Sequence, residues 1–574
     1  MASLSTLATP GVYIREISTL PASVAPVSTA VPAFIGYTEK GPSAPTRITS
    51  MIEYNEIFGG AFNESYEVDI TDGDVLALSA SDSPYIMYYH LLMYFGNGGG
   101  PCHIVSVGNY NYTTPAIDVD DFYDLSDPTV GIGQAELVDE VTLLVVPEAA
   151  ELSASNYRAV NDALLAQCNK LKDRFTIMDV NSTGDPSADA LAFRNSNVSA
   201  NFLNYGAAYY PPLDTILKRA YSADDVLIDD QRSGTDDIYA TEPNNRLSTI
   251  SGGVGISTTF KVDDPAIGTI TITAFGSSAV LTTGLDFVGT GTPDEIVASI
   301  IAAINNHATL SLLVRAQVDS TDDESLFIVT RTGSDTAANL TVVLSNGTWT
   351  TPASPVSIPG SNNSEDLALY NSITALIGER VVSLNPSGTM AGIYASVDNS
   401  RGVWKAPANV SVANIIGPSF QITEAQQGGL NVDATSGKSI NAIRSFVGRG
   451  TIVWGARTLE GNSNEWRYVP VRRLFIFVEE SCKTASEFVV FEPNDMNTWL
   501  RVKGMISNFL TDLWKQGALA GAKPEDAFFV SVGLGETMTA QDILEGKMIV
   551  SIGMAAVRPA EFIVLDFMHQ LQQS

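Results

Sequence analysis

Apolar positions recur along this chain with two periods, and the places where the period changes mark its organisation. In TPGVYIREIS, Thr9 to Ser18, Val12 and Ile14 fall on one face and Tyr13, Arg15 and Ile17 on the other, the period-two pattern of a strand set off by Pro10-Gly11. A strand needs a partner, yet Pro21, Pro26 and Pro32 punctuate the residues that follow, and a chain so interrupted does not turn back as a tight hairpin. AFIGYTEKGP predicts a second short strand closing at Gly41-Pro42. MIEYNEIFGG predicts a short amphipathic helix with Ile52, Tyr54, Ile57 and Phe58 on its apolar side. SPYIMYYHLLMYFGNGGGPCHIVSV then gives a helix stopped by glycines and followed by a strand.

Residues 141–210 alternate strand and helix. VTLLVVPE is a buried-type strand, and NYRAVNDALLAQCNKLKDR is a helix with Val160, Leu164, Leu165 and Leu171 on its apolar side. RFTIMDV and NYGAAYYPPL are two further strands. This order implies parallel strands with a right-handed crossover, a scaffold that by itself specifies no reaction. Between about 247 and 362, Gly, Ser and Thr rise, and the period-two stretches GTITITAF, DFVGT, SLFIVTRT and LTVVLS surround one helical segment, PDEIVASIIAAINNHA. We read this as a mostly β module inserted in a larger fold. Further on, Trp499, Val502, Ile506, Phe509 and Leu513 recur at helical spacing before Gly517, a helix with a glycine stop. Strand AFFVSVGL follows, and MIVSIGMAAVRPAEFIVLDFMHQL ends the chain with Pro559 separating one strand from a last extended one, Glu561 to Phe567.

Composition narrows the class. The 574 residues are 45% hydrophobic, the profile of a folded protein with room for several cores. No run approaches a membrane span, and no apolar segment follows a basic start as a secretory signal does, so we expect cytoplasmic synthesis without a cleaved signal. Three scattered cysteines argue against a disulfide framework. Residues 1–380 hold 16 basic and 46 acidic residues, whereas residues 381–574 hold 16 and 18, so nearly all of the net charge of −32 belongs to the first part. That charge repels nucleic acid and acidic membranes, while a near-neutral C-terminal part can pack closely against copies of itself.

The chemistry of an active site is not assembled in this sequence. His90, His103, His307 and His569 share no metal-ligand spacing, and Cys102 and His103, adjacent on a strand, point to opposite faces. GALAGAKPED has Pro524 where a phosphate loop needs Ser or Thr, and VDSTDDES lacks the glycine and the twelfth-position Glu of a calcium loop. We therefore expect no catalytic residues, no cofactor and no metal.

Several stretches carry a family resemblance. PSGTMAGIYASVDNSRGVWKAPAN (386–409), SINAIRSFVGRGTIVWGARTL (439–459), EWRYVPVRRLFIFVEES (465–481), VVFEPND (489–495), FLTDLWKQGALAG (509–521) and VRPAEFIV (557–564), with GVYIREI and PAFIGYTEKGP near the start, closely resemble the sheath proteins of contractile phage tails and related injection systems. The insert lies outside the resemblance.

The resemblance implies a multidomain α/β fold. Its parts are an N-terminal strand-exchange arm (1–20), an N-terminal part of the core or middle domain (21–100), an α/β middle domain (101–246), a C-terminal sheath core (363–558) and a C-terminal arm (559–574), to which the composition adds a mostly β inserted outer domain (247–362). It also implies that each subunit lends its two arms to neighbours, so that Gly11, Val12, Tyr13, Ile14, Arg15, Glu16 and Ile17, and Glu561, Phe562, Ile563, Val564, Leu565, Asp566 and Phe567, pair outside their own fold. The implied partners are further copies in sixfold rings of a helical sheath, an inner tube, baseplate and tail terminator or cap proteins, and paralogous sheath proteins, with no nucleic acid and no membrane insertion. The implied action is mechanical: a metastable stretched lattice shortens and drives the tube through an envelope. Arg472, Arg473, Arg501, Lys503 and Lys515 are candidates for contact with the tube or a neighbour, against the alternative of solvated charge. Trp404, Trp454 and Trp466 fit either a subunit interface or their own core, and LFIFVEES, helix or strand by pattern, is helix by resemblance. Two other classes remain: a secreted adhesin or carbohydrate-binding protein working through the insert, and an enzyme on the α/β middle.

Overall fold

Apolar runs such as VPAFIGY and TLLVV leave no polar face, so their strands need cover on both sides. The computed structural model supplies it. It describes residues 24–71, 75–80, 82–124, 127, 129–230, 247 and 364–563, and within the insert 256–262, 269–274, 277–283, 285–287, 292–307, 310, 314–319, 322–330, 340–345, 349–350 and 356–357. The first strand, Thr9 to Ser18, and Val564 to Phe567 lie outside the described residues.

The centre is an eight-stranded sheet built from β1 (Pro32–Thr38), β2 (Thr46–Ile48), β3 (Cys102–Asn109), β4 (Leu143–Val145), β5 (Phe175–Asp179), β6 (Gly206–Tyr210), β7 (Ile440–Phe446) and β8 (Gly450–Val453). Its spatial order is β2-β3-β1-β4-β5-β6-β7-β8. Neighbours from β3 to β7 are parallel, and β2 and β8 close the two edges antiparallel. Every residue of β1, β4, β5 and β6 is buried. Helix α1 (Met87–Gly96) precedes β3, and α2 (Ala154–Leu171) makes the crossover from β4 to β5. The chain then leaves for the insert and returns to complete the same sheet with β7 and β8. The fold is thus mixed α/β and multidomain, with the core assembled from both halves of the sequence.

Helix α3 (Ser387–Arg401) was not legible as an amphipathic stripe, and its packing explains why. Gly388, Gly392 and Ser396 recur every fourth residue and let α3 lie directly on α1. A Cβ at Gly392 would stand 2.4 Å from the Tyr94 carbonyl oxygen, and one at Gly388 would stand 2.8 Å from three atoms of His90.

Two buried carboxylates tie these helices to the sheet. Glu148, just past β4, accepts from the backbone N–H of Tyr37 at 2.9 Å, Ile86 at 3.1 Å and Met87 at 3.2 Å, so it joins β1 to the start of α1. Asp179, ending β5, accepts from the N–H of Ser387 at 2.8 Å at the start of α3. Burial pushes Glu148 up to about 8 and Asp179 up to about 7, against the hydrogen bonds that favour their charged forms. Both folded values lie above those of an unfolded chain, so this stability is complete below about pH 4 and is lost as pH rises through about 7 to 8. We expect the melting temperature to fall between pH 6 and pH 9. Asp179→Asn, which keeps the acceptor and cannot ionise, should remove about 1 kcal/mol of that slope. Equal slopes for the two chains in a thermal melt series would contradict this account.

The other parts carry their own cores. Strands Tyr66–Thr71, Val75–Ala80 and Val226–Asp230 form a small sheet, and its apolar residues cluster with Ile373 and Ile377 of the helix Ser364–Gly378. In the insert, helix Pro293–Asn306 contributes Ile296, Ile300 and Ile304 to a core shared with Ile270, Ile272, Leu326 and Ile328. Of the stretch DFVGT, expected as a strand, residues 288–290 lie outside the described residues, and Phe287 makes an isolated bridge with Thr283. Ile52, expected on the inner face of the helix Met51–Phe58, is exposed, while Tyr54 and Phe58 are buried.

Candidate functional site

The C-terminal unit is built on two helices, α4 (Val469–Ser486) and α5 (Met496–Lys515). Asp495 caps α5 by accepting from the N–H of Thr498, and Gly517, at φ 85°, ends it. Between cap and stop, the three-and-four spacing turns Val502, Ile506, Phe509 and Leu513 onto Leu474, Phe477 and Val478 of α4. LFIFVEES is therefore helical, as the resemblance implied. Two features of this unit concern the chain ends.

The first is a pair of short antiparallel strands, β9 (Phe528–Ser531) and β10 (Ser551–Met554), in register from Phe528 opposite Met554 to Ser531 opposite Ser551. Among the described residues no third strand joins them, although residues 518–520 meet the continuation of β10 through Leu519 and Ala556. A two-stranded ribbon is marginal alone. It survives here because Val530 packs into the helical core, while Phe529 on the other face is 57% exposed.

The second is how residues 24–29 and 557–563 cross this unit. Val24 lies in the α4–α5 core, the N–H of Val27 donates to Ser481 Oγ, and the Thr29 carbonyl accepts from Arg473 at 2.7 Å before the chain enters β1. At the other end, residues 557–563 have no regular structure. There Glu561 accepts from Arg457 Nε at 3.0 Å and Nη2 at 2.6 Å, from Asn431 Nδ2 at 2.8 Å and from Tyr468 Oη at 3.1 Å. Burial works against its charge, but these hydrogen bonds and the Arg457 cation hold it below the usual carboxylate range. Phe562 and Ile563, the next two residues, are exposed.

The expected contact residues divide. Gly11 to Ile17 and Val564 to Phe567 are outside the described residues, and Glu561 is held within its own chain. Arg472 and Arg473 do not face outward as expected. Arg472 lies over the rings of Tyr205 and Trp466, at 4.8 and 4.4 Å, and pairs with Glu479. Arg473 grips Asp398 with both nitrogens, at 3.0 and 2.6 Å. Both are buried in their own chain by these partners. On α5, Arg501 is exposed and lies over Phe488, Lys503 is half-buried, and Lys515 is exposed beside Asp512. Trp404 and Trp466 are half-buried in their own chain, whereas Trp454 is 38% exposed beside Phe446 and Arg449. Sequence reasoning missed Arg457, Tyr468 and Asn431. The one available signal was an arginine in the otherwise apolar run VWGARTL.

The place where a doubly wound sheet takes a ligand is the crevice where strand order reverses, here between β1 and β4. Glu148 and the close approach of Gly36 to Met87 fill it. Among the described residues no cluster of three metal-ligating side chains occurs, and no helix is long and apolar enough to cross a membrane.

Residues 462–568 match the phage tail sheath C-terminal domain family. The tail sheath protein of Vibrio phage KVP40 is 24% identical over 182 residues, 32% of this chain and 26% of the phage protein, so the chain matches about a quarter of that relative's length. Over nearly its whole length the chain is similar to solved sheath structures. The sheath of the extracellular contractile injection system PVC, contracted, is 27% identical with a TM-score of 0.53, covering 98% of each chain. The contracted helical sheath of the anti-feeding prophage is 27% identical, also with a TM-score of 0.53, covering 98% of this chain and 100% of the other. A chain of the sixfold-symmetrised anti-feeding prophage baseplate is 27% identical at 0.52, covering 99% and 100%. The chain is thus similar to contractile tail sheath proteins from end to end, and its residues 462–568 match their C-terminal domain.

Proposed function

We propose that this chain is the repeating subunit of a contractile sheath, a helical lattice around an inner tube that shortens on release from a baseplate and drives the tube through a target envelope. The observation that carries the reading is the β9–β10 ribbon, which no third strand joins among the described residues, on a unit that residues 24–29 and 557–563 cross. An extended segment of a neighbour adds to such an edge by main-chain hydrogen bonds, while alternating side chains set its register. Gly11 to Ile17 and the residues from Phe562 to Phe567 have the composition for this role. At a net ~0.5–1.5 kcal/mol per hydrogen bond, five bonds contribute roughly 2–8 kcal/mol before the cost of ordering the arm.

The role proposed is structural, and the buried carboxylates Glu148 and Asp179 serve as helix caps. The stroke needs two lattice packings of rigid subunits, a bistable interface released by a trigger. Further copies, an inner tube and baseplate and cap proteins are the partners that this action requires, and the acidic insert faces solvent. No particular observation favours an adhesin. The test is negative-stain electron microscopy of the full chain beside a variant lacking residues 1–18. Tubes from the full chain, lost in the variant with circular dichroism unchanged, are the expected result. A truncated chain that unfolds would instead place the first strand in its own fold.

A further inference from the structure

We propose that the Glu561 carboxylate is the anchor fastening the C-terminal segment to its own subunit, so that exchange with a neighbour begins at Phe562 and not at Pro559. The inference rests on the sheath reading above. After β10, the N–H of Ala555 donates to the Ala527 carbonyl and that of Val557 to the Ala518 carbonyl, which keeps the segment on the C-terminal unit. The next fixed point is Glu561. Its donors come from three places: Asn431 at the end of the helix Glu424–Asn431, Arg457 in the loop after β8, and Tyr468 at the cap of α4.

The site is built for a carboxylate. Arg457 is 4% exposed, its Nη1 donates to the Asn431 carbonyl, and its Nε and Nη2 form the planar fork that matches two carboxylate oxygens. Asn441 fixes the loop from below, its Oδ1 accepting the Arg457 N–H at 2.7 Å and its Nδ2 donating to the Arg457 carbonyl at 2.8 Å. One residue beyond the anchor the surroundings reverse, with Phe562 at 73% and Ile563 at 78% exposure. Moving the start of the arm from Pro559 to Phe562 shortens its reach by three residues, about 10 Å. It also joins the arm to the sheet edge at β7–β8, so a pull on the arm reaches the central sheet through the bidentate pair.

The test uses the full chain, Glu561→Gln and a double variant, Arg457→Met with Glu561→Met, which leaves no buried unpaired cation. Amide exchange of residues 557–563 in the free chain should rise at least tenfold in both variants. Sheaths from the double variant should come apart at a lower guanidinium concentration than those of the parent, with the melting of the free chain close to parental. Unchanged exchange, or sheaths equally resistant, overturns the anchor. Absence of sheaths from the parent chain with its tube and baseplate overturns the sheath reading instead, and the exchange result then decides the anchor alone.

Discussion

Gly392→Leu should leave most of the chain unable to reach its native state. The new Cβ alone would meet the Tyr94 carbonyl oxygen at 2.4 Å, and that oxygen belongs to a buried helix backbone with no rotamer to yield. Overpacking a tight core costs about 1–3 kcal/mol and more where backbone must move, so about 3 kcal/mol or more is expected here. The damage would spread because α1 and α3 are both fixed at their starts to the sheet, by Glu148 and Asp179. A control of opposite sign exists. Gly428, in the helix Glu424–Asn431, is exposed with nothing within 4 Å of its missing Cβ, so Gly428→Ala should stabilise by up to about 1 kcal/mol through helix propensity. Soluble yield and thermal melts of the two variants decide the matter. A Gly392→Leu chain as stable as the parent would mean that the two helices are not in the contact described.

The second large effect concerns Asp398 and Arg473, whose side chains are 4% and 3% exposed. Arg473 also donates to the Thr29 carbonyl and lies 4.7 Å from the Tyr394 ring, whose hydroxyl meets that of Tyr209 at 2.7 Å. One ion pair therefore joins α3 of the central unit, α4 of the C-terminal unit and the segment entering β1. Removing one partner leaves a buried charge alone, so Asp398→Ala should cost about 3–5 kcal/mol. Replacing both, Asp398→Leu with Arg473→Met, should recover much of that loss, because well-packed apolar residues often match a buried pair. Denaturant titration of the three chains measures this, and a double variant no better than the single would show that the pair has no apolar equivalent here.

Elements with a clean period were legible before the structure: β1, β4, β5, α2 and α5 each carry uninterrupted or strictly spaced apolar residues. What stayed hidden was packing that uses small residues and charge. In α3 the informative positions are glycines, which weaken a helical pattern even as they permit direct contact with the backbone of α1. Arg472 and Arg473 read as surface charge because arginine usually is. Their burial depends on Glu479, Asp398 and aromatic rings brought from elsewhere in the sequence, and local periodicity carries no record of such partners. The Glu561 site was missed for the same reason, its donors lying 93 to 130 residues away.

The N-terminal segment has a further consequence during synthesis. Val27 and Ser481, which share a hydrogen bond, are 454 positions apart. At about 5–20 residues per second, Val27 leaves the ribosome roughly 20–90 s before its seat on α4 exists. Throughout that interval the segment from Val24 to Thr29 is without the α4–α5 core on which it packs. Translation through α5 is thus a precondition for fixing the chain's entry into β1, and a polypeptide cut short before α4 leaves that entry unanchored.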